Sequence, residues 1–181
     1  MGQLKQLLLY REKPFVRHAI EQAQAAGFDP VIVVVGAQAA AVRAAIAVQH
    51  VDIVENRQWA KGMGSSIGAG IRKLQADENE AAAVAILLAD QPLVTAAHLS
   101  AMRQRLFESG PQVVAAEYNG TLGVPALFQR VLFRKLALLA PDAGAKHLLR
   151  DPDLHVLPFP LPEAARDIDT PDDYAGLEKQ L

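Results

Sequence analysis

Asp90 follows the apolar run Ala83–Ala89 (AVAILLA) and sits inside the segment LLADQPLV, residues 87–94. A carboxylate at the exit of a buried strand is a hard oxygen ligand. It suits Mg²⁺, which keeps several waters and takes one or two carboxylates plus substrate phosphates. The same aspartate could instead cap the turn into the next helix, and the local motif leaves both readings open. A second carboxylate candidate lies in RDIDTPDDY, residues 166–174. Asp167 and Asp169 flank one apolar residue, so in extended chain they share a face, and one of them could complete a two-aspartate metal site with Asp90. The competing view is that Asp, Thr and Pro ahead of a helix are ordinary capping residues.

A third feature is NRQWAKGMGSSIGAG, residues 56–70. Gly62, Gly64, Gly68 and Gly70 accompany Ser65 and Ser66 at a helix start. Glycines let a ligand approach the backbone, and free N–H groups at a helix start favour an anion or sugar hydroxyls. No GK[ST] follows, so this is not a Walker A loop, nor is it GxGxxG. The alternative is a tight turn with a small-residue packing face. Lys5, near the chain start, is either a solvated charge or a phosphate neutraliser. Gly123 and Pro125 in NGTLGVPALF suggest a turn forming a pocket wall. Asp142, Gly144 and Ala145 in PDAGAK mark another helix start and a second candidate anion site. The five histidines lack HExxH or comparable ligand spacing, and His18, His98 and His147 fall on expected helices. There is no GxSxG elbow, and Ser65–Ser66 has no assignable base.

These residues need a scaffold, and the apolar pattern supplies one. Strands are expected at Pro30–Gly36, Val51–Val54, Ala83–Ala89, Gln112–Tyr118 and, shorter, His155–Leu157. Helices are expected at Pro14–Ala26, Ala37–Val48, Ser65–Leu74, Thr95–Phe107, Leu127–Leu139 and Ala143–Leu149, with a last one capped by Thr170. The Pro-rich stretch Pro152–Pro162 is expected to be a surface connection. Alternating strands and helices imply an α/β fold with a mostly parallel sheet, in which Val31–Val35, Ala83–Ala89 and Val113–Glu117 would be neighbours. Open sheets of this kind bind ligands beyond the carboxyl ends of their strands.

Composition narrows the class. The 181 residues fit a single domain, 1–181. A hydrophobic fraction of 51% excludes a disordered chain. The net charge of −2 gives no electrostatic footprint for nucleic acid. Without cysteine there is no disulfide framework, thiolate nucleophile or iron–sulfur site. Apolar stretches are far short of the ~20 residues that span a bilayer. The resulting expectation is a cytoplasmic protein that engages neither nucleic acid nor membrane.

The segments also line up with a known family. MGQLKQLL resembles the second half of the signature LAAGxSxRMGxxKQLL. NRQWAKGMGSSIGAGI, LLADQPLV, GVPALF, DAGAKHLL and DIDTPDDY follow in the family's order. Together they resemble the MobA-like nucleotidyltransferases, especially the branch containing molybdenum cofactor cytidylyltransferase. The resemblance implies a Rossmann-like three-layer fold of the nucleotide-diphospho-sugar transferase type. It implies an enzyme that joins an NTP (CTP or GTP) to a phosphorylated, pterin-type acceptor and releases pyrophosphate. Its other expected partner is a client molybdoenzyme. Carried over residue by residue, Asp90 and Asp169 would hold Mg²⁺, and Lys5 would neutralise the NTP phosphates. Asn56 and Gly64–Ser66 would form the substrate and nucleotide loop. Gly123, Pro125, Asp142 and Gly144 are the candidate substrate-binding residues. Transfer to a sugar phosphate, or a non-catalytic accessory role, are the alternatives. There are two departures from the pattern. The chain begins at the Met-Gly of RMG, so the LAAGxSxR strand and loop are expected to be missing, leaving an open edge or vacant strand position beside Val31–Val35. Val124 stands where many cytidylyltransferases have His.

Overall fold

The structure, a computed structural model, describes residues 4–77, 80–166, 173, 174 and 177. Asp167, Asp169 and Thr170 lie outside the described residues. A short antiparallel pair, β1 (Leu9–Tyr10) and β2 (Lys13–Pro14), leads into helix α1 (Phe15–Ala25). α1 buries Phe15, Val16, Ile20 and Ala23, and the chain leaves it through Gly27 at φ +78°. β3 (Ile32–Val35), α2 (Ala39–Ala45) and β4 (Asp52–Glu55) form a βαβ unit, with β3 and β4 parallel in register Ile32↔Asp52 to Val35↔Glu55. α3 (Met63–Ala76), β5 (Ala83–Ile86) and α4 (Ala96–Ser109) follow, then β6 (Val113–Tyr118), β7 (Thr121–Gln129), α5 (Phe133–Ala137), α6 (Ala145–Leu149) and β8 (Val156–Pro160). Thr95 caps α4 as expected: its Oγ1 accepts from the His98 N–H, and the His98 ring closes the box onto the Thr95 N–H.

β5, β7, β6 and β8 make one four-stranded sheet in that order. Its two faces are read directly from the alternation along the strands. Val113, Ala115, Val124, Ala126 and Phe128 join Ile67, Ile71, Leu74, Phe133, Leu136 and Leu148 from α3, α5 and α6. Val114, Ala116 and Leu127 face the other way, onto Leu99, Met102 and Leu106 of α4 and Ala164 of the Pro162–Ala165 turn. The layers are therefore helix, sheet, helix, as the sequence implies.

The strand order differs from expectation. β7 runs antiparallel to both β5 and β6 and separates them, so Ala83–Ile86 and Val113–Tyr118 are not neighbours. The reason is a hairpin. Asn119 (φ 50°) and Gly120 (φ 68°) form a two-residue turn with both central residues left-handed, the conformation whose twist matches paired strands and which Asn-Gly favours. The sheet is mixed; its β6–β8 pair is parallel.

Two expected elements are corrected with it. The segment Leu127–Leu139 is not one helix. Its first part is β7, with Leu127 and Phe128 1% and 0% exposed, and α5 starts only after a 3₁₀ turn at Arg130–Leu132. A strand covered on both faces is apolar at every position, so it lacks the alternation that would mark it. Gly123 and Pro125 lie within β7 rather than in a turn. The register jumps there from Ala115↔Ala126 to Ala116↔Gly123, leaving Val124 and Pro125 in a bulge, where a proline's missing N–H is tolerated. Pro152–Pro162 contains β8, whose Pro158 and Pro160 suit a strand at the sheet's rim.

Among the described strands, β3 is bonded only to β4 and β5 only to β7. Ala89, in the turn after β5, packs against the apolar cluster that contains Val35, Val42 and Ile46.

Candidate functional site: the strand exits of β3, β4 and β5

Gly36 follows β3, Asn56 follows β4, and Asp90 lies in the turn after β5. Leu4 and Leu7 flank the 3₁₀ turn Lys5–Leu7 and pack into the cluster that holds Val35 and Ala89. Ala89, the residue before Asp90, packs against the same cluster. Asn56 follows β4, and its N–H donates to Val35 O (2.8 Å), fixing that loop across the end of β3. Gly36, next after β3, is covered by Trp59: a Cβ there would fall 2.6 Å from Trp59 Cβ.

Asn56 is 6% exposed. Its Nδ2 donates to Ser65 Oγ (2.8 Å) and Ser66 Oγ (3.0 Å), and its Oδ1 accepts from the Gln58 N–H (2.9 Å). Ser65 Oγ in turn lies 2.7 Å from Gly62 O. The cluster expected to meet a nucleotide is thus bonded to itself, and Asn56 shapes the start of α3. The glycines serve close packing. A Cβ on Gly64 would collide with Ala140 O and Ala143 O, and one on Gly68 would sit 3.0 Å from Ala137 O. The Ala140–Gly144 loop therefore lies directly over the α3 start, and Ser65 N–H also reaches Pro141 O (3.4 Å). This contact brings Asp142 and Gly144 against the Gly62–Ser66 turn. Asp142 is exposed and, with Arg134, Lys135, Leu138 and His147, lines an open depression of about 750 Å³.

Gly123 stands apart from this group. Its α-carbon is covered by the Tyr118 side chain, so it supports the hairpin. Pro125 is buried in the β7 bulge next to Gln91, whose Nε2 donates to Val124 O.

The Asp90 turn is held on several sides. His18 of α1 has Nε2 3.0 Å from Pro92 O, and its ring stacks edge-on against Tyr10 at 5.0 Å. Burial pushes the His18 pKa below its usual 6.5, against an opposing pull from the bond to Pro92 O. A neutral ring with its proton on Nε2 is the form that donates to Pro92. Gln91 is 4% exposed and bonds the turn to β7 and to the Pro162–Ala165 turn. Neither His18 nor Gln91 stood out in the sequence. A glutamine between Asp and Pro carries no pattern that announces burial.

The donor set fits a hard divalent cation. No group of three His, Cys, Asp or Glu side chains converges among the described residues. A half-buried carboxylate in the turn a few residues beyond β5, sharing a cation with waters and substrate phosphates, is how Mg²⁺ is usually held. No helix among the described residues is long and apolar enough to cross a membrane.

Comparison with known proteins decides the family. The MobA-like NTP transferase domain matches residues 1–156. The chain belongs to this family. It is a nucleotidyltransferase with the nucleotide-diphospho-sugar transferase fold. It is 30% identical to the purine catabolism protein PucB of Bacillus subtilis, over all of this chain and 91% of that one. It is 30% identical to nicotine blue oxidoreductase of Paenarthrobacter nicotinovorans, covering 81% of this chain and 72% of that protein. Among solved structures, Rv0371c of Mycobacterium tuberculosis superimposes with a TM-score of 0.82 at 29% identity, covering all of this chain and 92% of the other. The same mycobacterial protein has been solved in complex with manganese.

Proposed function

We propose that this nucleotidyltransferase is divalent-metal-dependent and joins CTP or GTP to a phosphorylated pterin-type acceptor, the molybdopterin cofactor, for delivery to a client molybdoenzyme. The observation that carries this is the Asp90 turn: a hard carboxylate at the exit of β5, braced by His18 and Gln91. The manganese complex of the mycobacterial relative supports a divalent cation. Bound by Asp90, with Asp169 as the second carboxylate, Mg²⁺ would neutralise charge on the NTP phosphates.

An oxygen of the acceptor's phosphate attacks the α-phosphorus of the NTP. The α–β phosphoanhydride bond breaks, and its electron pair leaves with pyrophosphate. The acceptor is already anionic, so no strong general base is needed. What remains is positioning and charge neutralisation. Lys5 meets the phosphates. Asn56 holds Ser65 and Ser66 at the start of α3 and so shapes the loop that approaches the nucleotide. Asp142 and Gly144 orient the acceptor from the facing loop.

The test is product identity. The chain is incubated with Mg²⁺, CTP or GTP, and either molybdopterin cofactor or a sugar 1-phosphate, and products are identified by mass spectrometry. The expected product is the cofactor carrying one added nucleoside monophosphate. A sugar nucleotide instead would move the acceptor class. Absence of any conjugate would favour the accessory-protein alternative.

A further inference from the structure

We propose that Gln91 is a positioning residue for the metal-binding carboxylate: its buried amide locks the Asp90 turn to β7 and to the Pro162–Ala165 turn. This rests on Asp90 being a metal ligand, as proposed above.

Gln91 Nε2 donates to Val124 O at 3.2 Å and to Ala164 O at 2.9 Å. Both amide protons are used, and both acceptors are backbone carbonyls on other elements. Val124 is in the β7 bulge, where the ladder with β6 is interrupted. Ala164 is fully buried in the Pro162–Ala165 turn, five residues before Asp169 in the chain. One side chain adjacent to Asp90 thus binds the segment leading to the second carboxylate. The other side of the same turn is held by His18 through Pro92 O.

The amide is retained at a cost. Gln91 Oε1 is buried with no hydrogen-bond partner among the described residues. A buried orphan acceptor is unfavourable, and an apolar side chain of similar volume would remove it. The donors are what such a replacement would lose, so the pair of N–H bonds is the function of this side chain. A glutamate would be worse than either, since it would set a carboxylate against two carbonyl oxygens. Tight second-layer support of this kind keeps a ligand within the geometry a metal needs.

The test measures Mn²⁺ binding to the full chain by electron paramagnetic resonance, with pyrophosphate release and thermal melting in parallel. Gln91→Met keeps the volume and loses both donors. It should remain folded and bind Mn²⁺ about tenfold more weakly, the lower end of what loss of an outer-layer partner costs a metal site. The metal concentration for half-maximal pyrophosphate release should rise, with the rate at saturating metal largely retained. A merely structural role would lower the melting temperature without that split. Unchanged Mn²⁺ affinity in folded Gln91→Met overturns the proposal. Should that variant fail to fold, Gln91→Asn keeps a buried amide too short to reach both carbonyls, and the same two outcomes decide. Asp90→Asn serves as the reference. If it leaves Mn²⁺ binding intact, Asp90 is not the ligand and both ideas fall. If it loses Mn²⁺ while Gln91→Met keeps it, only the positioning role falls.

Discussion

Asn56 illustrates how a polar residue in a candidate site can serve its architecture. Each of its side-chain groups is spent inside the protein, on Ser65, Ser66 and the Gln58 N–H. Asn56→Ala would leave buried donors and acceptors unpaired. It should therefore destabilise the fold by roughly 1–3 kcal/mol, read as a shift in the urea midpoint. Gly64 makes a steric counterpart. Its α-carbon faces Ala140 O and Ala143 O in van der Waals contact. Gly64→Ala should push the Ala140–Gly144 loop off α3, costing about 1–3 kcal/mol as overpacking does. The glycine and serine cluster was visible in the sequence. What was not visible is that a facing loop occupies the space the glycines leave, because that loop arrives from 76 residues later in the chain.

At the level of elements, the Asn119–Gly120 hairpin decides the sheet order. Both residues are left-handed, and nothing lies near the position of a Cβ on Gly120. Gly120→Ala should therefore show conformational cost alone, about 1 kcal/mol, in equilibrium unfolding. α1 is tied to the Asp90 turn by His18, which gives the molecule a pH dependence. The folded-state pKa of His18 lies below its unfolded value near 6.5. Between those two values the unfolded chain binds the proton and the folded one does not, so stability rises with pH. The contribution is complete above about pH 6.5 and is lost as the pH falls through the folded-state pKa. Melting temperatures from pH 7.5 to 5 should decline in the native protein, and that decline should be shallower in His18→Phe. An equal decline in the two would assign it elsewhere. β3, β4, β5, β6 and the α1 and α4 helices were legible because each has a clear apolar run or stripe, closed by a glycine after β3 and near the end of α1, and by a Thr cap at the start of α4. β7 was missed because a strand sandwiched by helices is apolar throughout, and the dipeptide Asn-Gly just before it outweighs the Gly-Val-Pro that drew attention. β1 and β2 are two residues each, too short for any periodicity.

For the molecule as a whole, the end of β4 holds Asn56 against Ser65 and Ser66 at the start of α3, the Ala140–Gly144 loop covers that start, and Leu4, Leu7 and Ala89, next to Lys5 and Asp90 in the chain, pack against one apolar cluster. The central claim is that Asp90 supports divalent-metal-dependent nucleotidyl transfer. The most direct test is pyrophosphate release from CTP and GTP in the presence of the phosphorylated acceptor, with and without Mg²⁺, in the native chain and in Asp90→Ala. We predict release that depends on both metal and acceptor in the native chain, and its loss in a variant that melts like the native protein. Release that persists in Asp90→Ala, or that proceeds equally well after chelation of the metal, would contradict the account.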